Sequence, residues 1–312
     1  MAKTQVYIDG QSGTTGLQIY ERLEARDDVD IIRISHDKRH DTHERACCLN
    51  AADVAFLCLP DDQARISASL VDNPHTVVID ASTAHRTQAG WTYGYPELNA
   101  NQRKQIAASK RIANPGCHAT GFISIVAPLV QAGIVDAASQ LVCYSLTGYT
   151  GGGKKMIASY TAQERPQSLD APGVYALDQH HKHIPEMCSV CGLGVAPTFM
   201  PVVGDFAQGM ATTVMFTNVN FVGAQSLAGV RECLDAHYKG QRFVRVLAGG
   251  DVPSTLYANT NAGTNNLDII VSGSDNNITV TALFDNLGKG ASGAAIQNLN
   301  IALGLSDDYC LS

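Results

Sequence analysis

The chain has 312 residues, enough for two cores, with 22 Lys and Arg against 29 Asp and Glu and a net charge of −7. That balance argues against broad electrostatic adhesion to nucleic acid or anionic lipid and favours a small-molecule partner. With no basic apolar leader and no unbroken run of about 18 apolar residues, and with nine scattered cysteines, the expectation is a cytoplasmic protein with reduced thiols.

From the start of the chain, short apolar runs alternate with amphipathic stretches: Gln5 to Ile8, Thr14 to Ala25, Val29 to Ile34, Val54 to Leu59, Asp61 to Leu70 and Thr76 to Ile79. Strand, helix and strand at this spacing predict a Rossmann-type, doubly wound parallel sheet, an α/β domain over residues 1–116. Such a sheet binds ligands beyond the carboxyl ends of its strands. The first of those ends reads Asp9-Gly10-Gln11-Ser12-Gly13-Thr14-Thr15-Gly16. Its spacing is G-x-x-G-x-x-G instead of G-x-G-x-x-G, but the turn still brings unpaired helix amides to a pyrophosphate, and Ser12, Thr14 and Thr15 add hydroxyls. A turn that needs glycine only for packing is the plain alternative. After the second strand comes Ser35-His36-Asp37-Lys38-Arg39. Ser35, Lys38 and Arg39 suit a 2'-phosphate, so NADP is expected over NAD; a solvated charged loop has the same appearance. Arg86, downstream of Ser82 and past the fourth strand, has a planar fork that fits a carboxylate or phosphate, or an ordinary structural ion pair.

Asn114-Pro115-Gly116-Cys117 then turns sharply into an apolar helix, Ala119 to Ala132. A cysteine at that helix start is favoured as thiolate by the dipole and the unpaired amides, which marks Cys117 as a nucleophile; the other eight cysteines read as small buried hydrophobes. Longer strands follow at Gln140 to Leu146, Met210 to Asn220, Asp268 to Val271 and Asn277 to Phe284, predicting a mixed or antiparallel sheet in an α+β domain over 117–287. A last helix, Gly290 to Leu303, is expected to pack back on the first domain within residues 288–312. Gly148 to Lys155 is nearly a P-loop, but Lys155 stands where Ser or Thr would hold Mg²⁺, so the loop reads as a phosphate cradle using Gly151 and Lys154, or as a plain surface loop. His180-His181-Lys182-His183-Ile184-Pro185-Glu186 supplies imidazoles for proton transfer. His181, His183, Cys188 and Cys191 include zinc-ligand types, but their spacing is not that of a compact zinc module, and no metal is expected.

Taken together, Gly10 to Gly16, Asp80-Ala81-Ser82 with Arg86, Tyr93 to Asn99, Ala113 to Cys117, His181 to Glu186 and Asp285 to Ala291 resemble the short form of the N-acetyl-gamma-glutamyl-phosphate reductase family of arginine biosynthesis, over essentially the whole length. The resemblance implies an NADP-binding domain, a catalytic and oligomerisation domain like the second domain of glyceraldehyde-3-phosphate dehydrogenase, an acyl phosphate substrate, a Cys117 thioester and a homodimer or homotetramer. It assigns acid–base work to His181, the first His of His-x-His-x-Pro-Glu; Lys182 is expected at the substrate's carboxylate or phosphate, His183 and Glu186 either orient His181 or contact substrate, and Arg86, Gly151 and Lys154 join the expected substrate contacts on their own chemistry. The expected cofactor contacts extend from the glycine turn to Cys58, Leu59, Pro60, Ser82 and Asn286. Lys182 stands in place of the family's Arg, which keeps the charge and loses the bidentate fork. His118-Ala119 stands in place of the family's Tyr-Pro. Two other readings stay open: a reductase for aspartyl or aminoadipyl phosphate, and a non-catalytic NADP-binding redox sensor.

Overall fold

The computed structural model describes residues 3–312, and the chain divides into two units. The first comprises residues up to Pro96, Asn101–Gly116 and Ala291–Leu311; the second comprises Glu97–Ala100, Cys117–Gly290 and Ser312.

The first unit opens with β1 (Thr4–Asp9), α1 (Thr14–Glu24), β2 (Val29–Ile32), α2 (Thr42–Ala51), β3 (Val54–Leu57), α3 (Asp61–Ser69), β4 (Val77–Asp80), β5 (Thr92–Tyr93), α4 (Gln102–Ala108) and β6 (Arg111–Ala113). The six strands form one wholly parallel sheet in the order β2-β1-β3-β4-β6-β5. β3 and β4 are buried at every position, which is why β3, and β4 up to Asp80, read as apolar runs instead of alternating ones. Tyr7, Leu49, Ala55, Leu57, Val71 and Val78 make one side of the core. α2 is less apparent in sequence because one of its two buried residues is Arg45, whose charge is compensated by Asp9 at 2.9 Å.

The second unit begins with α5 (Cys117–Gln131) and continues through β7 (Val142–Gly148), α6 (Gly153–Thr161), β8 (Gly173–Val174), α7 (Ile184–Cys191), β9 (Thr198–Gly204), β10 (Met210–Thr217), α8 (Leu227–Tyr238), β11 (Val244–Val246), β12 (Leu267–Ser274) and β13 (Asn277–Phe284). Seven strands make a mixed sheet in the order β11-β12-β13-β10-β7-β9-β8. α5 lies on β10 and β13, and α8 lies on β11 and β12. Two details fix α5 there. Gly121 faces Thr212 so closely that a Cβ would sit 2.5 Å from that side chain. Pro128 has no N–H to offer the carbonyl of Ser124, and the hydroxyl of Tyr238 on α8 donates to it instead, at 2.7 Å.

The chain ends with α9 (Gly293–Ala302), which belongs to the first unit and is buried along nearly its whole length. Its asparagines account for its polarity: Asn298 donates to the carbonyl of Gly94 at 2.9 Å, and Asn300 accepts from Arg26 at 2.7 Å. Among the described residues no helix is long and apolar enough to cross a membrane.

Candidate active site

In the first unit the glycine turn sits at the carboxyl end of β1, pressed against the end of β3. Gly10 has φ +89°, and a Cβ on it would lie 2.3 Å from the carbonyl oxygen of Cys58 and 2.9 Å from Leu59. Only glycine meets both conditions. Gly13 donates to the carbonyl of Gly10 at 3.0 Å, and its own carbonyl accepts from Leu17, so α1 starts with first-turn amides that no helical carbonyl takes up. The hydroxyl of Thr14 is buried there and has no hydrogen-bond partner. An anion with several acceptor oxygens satisfies both, so this cradle fits the pyrophosphate of a dinucleotide. Gly16 is buried, Thr15 half-buried and Ser12 exposed on the turn. Pro60 caps α3.

The loop after β2 exposes Ser35, Lys38 and Arg39. Each is occupied locally. Lys38 pairs with Glu44, Arg39 contacts the rings of His36 and His40, and the hydroxyl of Ser35 holds the Asp37 carboxyl below the usual range. Ser82 is buried, with its hydroxyl donating to Asp80 at 2.7 Å. Arg86, also buried, spans two strand ends, donating from Nε to the carbonyl of Asn114 at 2.9 Å and from Nη2 to that of Ala81 at 3.0 Å.

In the second unit Cys117 is the first residue of α5 and is partly exposed. Gly290 is packed against it, so that a Cβ there would be 3.0 Å from that of Cys117. The next residue, His118, belongs to a cluster of three imidazoles. The ring of His118 lies 5.5 Å from that of His181 and 5.6 Å from that of His183, and Phe199 on β9 closes the group at 5.3 Å from His118 and 5.1 Å from His181. Burial pushes His118 down to about 3, with the charges of His181 and Lys182 adding to it; burial, then Lys182, pushes His181 down to about 4. Both rings are therefore uncharged near neutral pH, and His181 is available as a proton acceptor. His183 and Glu186 are buried at the start of α7, while Lys182 is exposed.

His118 and Tyr175 were not singled out as functional by the sequence. Nε2 of His118 is 2.7 Å from the hydroxyl of Tyr175, and Nδ1 is 2.7 Å from that of Ser145. Burial first, and then the charge of Cys117, raises the Tyr175 phenol above its ordinary range. No periodic signal marks these partners, which lie 27 and 57 residues from His118.

The Gly148–Lys155 segment forms a single 3-10 turn followed by α6, with Gly151, Lys154 and Lys155 exposed. Asn286 anchors it, accepting from the amide of Gly209 at 2.9 Å and donating to Thr150 at 3.0 Å. Asn286 lies in the second unit and its amide is engaged in positioning this loop. Among the described residues no group of three or more His, Cys, Asp or Glu side chains is arranged to hold a metal ion.

Residues 5–106 match the family model described as the NAD binding domain of semialdehyde dehydrogenase, and residues 117–286 match the model described as its dimerisation domain. The chain is 44% identical, over the full length of both, to N-acetyl-gamma-glutamyl-phosphate reductase 2 of Nostoc sp.. It is 42% identical to the Pseudomonas putida protein of the same description, covering 96% of each chain, and 43% identical to N-acetyl-gamma-glutamyl-phosphate reductase of Brucella anthropi, covering 97% and 99%. Among solved structures it resembles aspartate semialdehyde dehydrogenase II of Vibrio cholerae, with a TM-score of 0.71 at 17% identity over 97% and 99% of the two chains. The Candida albicans aspartate semialdehyde dehydrogenase solved with NADP gives 0.63 at 15% identity over 96% and 98%. At these identities the structural likeness establishes the fold.

Proposed function

The chain belongs to the N-acetyl-gamma-glutamyl-phosphate reductase family, and from that premise we propose that it reduces N-acetyl-gamma-glutamyl phosphate to N-acetylglutamate 5-semialdehyde and phosphate, with NADPH, in arginine biosynthesis. The observation that carries the reading is Cys117 at the first position of α5, followed by His118, which clusters with His181 and His183 and, like His181, is uncharged near neutral pH.

NADPH, when bound, supplies the hydride that converts a thioester to an aldehyde. Gly10, Gly13, Gly16, Thr14 and Thr15 would hold its pyrophosphate, with Ser35, Lys38 and Arg39 at its 2'-phosphate; Cys58, Leu59, Pro60 and Ser82 line the neighbouring strand ends. Cys117 does the covalent work. Its sulfur bonds to the acyl carbon, and the carbon–oxygen bond to phosphate breaks with its electron pair leaving on oxygen. His181 takes the thiol proton and passes it to that departing oxygen. Burial leaves the ring unprotonated but weakly basic, and a dianionic phosphate drawn beside it raises its affinity for the thiol proton. After reduction the thiohemiacetal alkoxide collapses, freeing the aldehyde and a Cys117 thiolate, which takes a proton from solvent by way of His181 to restore the thiol. Splitting one displacement into two is what the cysteine contributes. Lys182, His183 and Glu186, together with Gly151 and Lys154, are the groups we assign to the substrate's anionic ends. Arg86 serves by tying the end of β6 to the segment after β4.

The sheet of the second unit turns Val142, Met200 and Met215 outward, 41%, 47% and 43% exposed, on neighbouring strands β7, β9 and β10. We assign this face to a seam with a second copy.

Activity run in the oxidative direction, with phosphate, NADP and either N-acetylglutamate semialdehyde or aspartate semialdehyde, tests substrate and reaction together. The N-acetylated aldehyde should be the strongly preferred one, and Cys117→Ser should abolish turnover while NADPH still binds. Preference for aspartate semialdehyde overturns the substrate, and near-normal turnover of the serine variant overturns the mechanism.

A further inference from the structure

A row of polar groups runs from the sheet of the second unit through the first turn of α5 to the loop after β8. It starts at Thr212 on β10, whose hydroxyl is 2.7 Å from that of Ser145, its cross-strand partner on β7. From Ser145 it passes to His118 and on to the hydroxyl of Tyr175, again at 2.7 Å for each step. Thr212, Ser145 and His118 are buried, so each bond replaces one that water cannot provide. Packing dictates the alignment: with no Cβ on Gly121, α5 rests directly on Thr212, and His118, one turn earlier on the same face, meets Ser145.

One hydrogen per group gives the row a direction. With the ring proton on Nε2, His118 donates to the Tyr175 oxygen, while Nδ1 accepts from Ser145 and Ser145 from Thr212. The Tyr175 hydrogen is then left to point elsewhere. With the proton on Nδ1 the row reverses, and Tyr175 gives its hydrogen to His118. Negative charge at Cys117, which Tyr175 senses, selects the first arrangement because it draws a hydroxyl hydrogen toward itself.

We propose that Tyr175 is a further hydrogen-bond donor of the active site, its hydroxyl aimed by His118 at the negative charge that forms first on the Cys117 sulfur and then on the oxygen of the tetrahedral adduct. His118 is the positioning residue, acting through Tyr175. The inference rests on Cys117 being the nucleophile of the proposed reaction. The row uses a residue at which this chain departs from its family's Tyr, so it belongs to this sequence. The titratable groups facing the pair are His181, 5.7 Å from Tyr175 ring to ring, His183, Lys182 through its charge, and Glu186 in the first turn of α7, the helix packed on α5.

Alkylation of Cys117 by iodoacetamide in the full-length protein, followed by mass spectrometry of its peptide from pH 5 to 10, reports the thiolate without any acyl phosphate. Tyr175→Phe should raise the midpoint of that profile by about one pH unit, a tenfold loss of thiolate below it, and lower kcat about tenfold with KM little changed. Tyr175 is half-buried on a loop, so this variant is expected to fold. His118→Gln places an amide nitrogen near the position of Nε2 and should retain most of the wild-type profile; His118→Asn, which reaches toward Ser145 instead, should behave like Tyr175→Phe. A wild-type-like profile and kcat in Tyr175→Phe, with Cys117 itself reactive, overturns the inference alone. Equal behaviour of His118→Gln and His118→Asn overturns the positioning role. If wild-type Cys117 resists alkylation throughout, the nucleophile reading falls and this inference with it.

Discussion

Acid should weaken the second unit through His118 well before it protonates the carboxylates. The ring is buried, and burial holds its pKa at about 3, against about 6.5 for a histidine in an unfolded chain. Below pH 6.5 the unfolded chain therefore binds a proton that the folded one refuses, so stability contributed by this site is complete above pH 6.5 and declines as pH falls toward 3. The slope is about 1.4 kcal/mol per pH unit, which gives about 2 kcal/mol between pH 6.5 and 5. His181, depressed to about 4, acts with the same sign between 6.5 and 4, but it is only half-buried and solvent reduces its share. The carboxylates with lowered values, half-buried Asp28 and exposed Asp41 and Asp205, lose their contribution only at lower pH. Because Trp91 lies in the first unit, the readout should be amide exchange in β7 and β10, corrected for the intrinsic effect of pH. His118→Gln cannot titrate, so its stability difference from wild type should shrink by about 2 kcal/mol on going from pH 6.5 to pH 5. Parallel loss of protection in the two proteins would refute the argument, since the slope could not then come from this ring.

Gly10→Ala must hold φ +89° and place a methyl 2.3 Å from the Cys58 carbonyl; the cost, of order 1–3 kcal/mol, should weaken NADPH binding at least about tenfold by titration calorimetry. Lys289 and Glu97 form a buried pair at 2.8 Å, so Lys289→Met should destabilise the second unit by about 3–5 kcal/mol in denaturant unfolding, and Glu97→Leu added to it should recover much of the loss. Gly121→Ala should gain about 1 kcal/mol of helix propensity and lose more to overlap with Thr212 and Phe284, leaving a net loss and slower alkylation of Cys117. Replacing both Lys38 and Arg39 by Glu should raise KM for NADPH and leave KM for NADH nearly unchanged; equal effects on both would remove these cations from the 2'-phosphate.

Legibility followed the range of the interactions. Most of the first unit could be read because its first four strands are local patterns: β3 and β4 are buried runs of four residues, and the glycine turn follows β1 directly, whereas the two residues of β5 carry no pattern. β9 was harder. It carries Pro201 and Gly204, and its last four residues are all buried, so neither strand composition nor alternation marks it. α8 has a visible serine cap, with Ser226 accepting from Gly229, and an apolar stripe of Val230, Leu234 and Tyr238; its importance comes from Tyr238 supplying the bond that Pro128 withholds, 114 residues away. In the site, Cys117 and His181 stood out because Asn-Pro-Gly-Cys and a histidine cluster are contiguous. His118 was visible only as a departure from the family's pattern, because its hydrogen-bond partners come from a strand and a loop 27 and 57 residues away.

Those long-range partners bear on how the cysteine works. A nucleophile at a helix start needs its helix fixed, since a shift of about an ångström in the reacting atoms is costly. Here the fixing is done by absences. Gly121 lets α5 touch β10, Gly290 lets the chain after β13 close on Cys117, and Pro128 hands a carbonyl to α8. Each close approach buries polar groups, and the bonds that link Thr212, Ser145 and His118 satisfy them. Replacing the family's Tyr by His at position 118 is tolerable for the same reason: the imidazole offers a donor at one nitrogen and an acceptor at the other, which is what a site flanked by two hydroxyls requires. A group with only one hydrogen-bonding end would break the row between Ser145, which keeps Thr212, and Tyr175, whose hydroxyl would lose its aim.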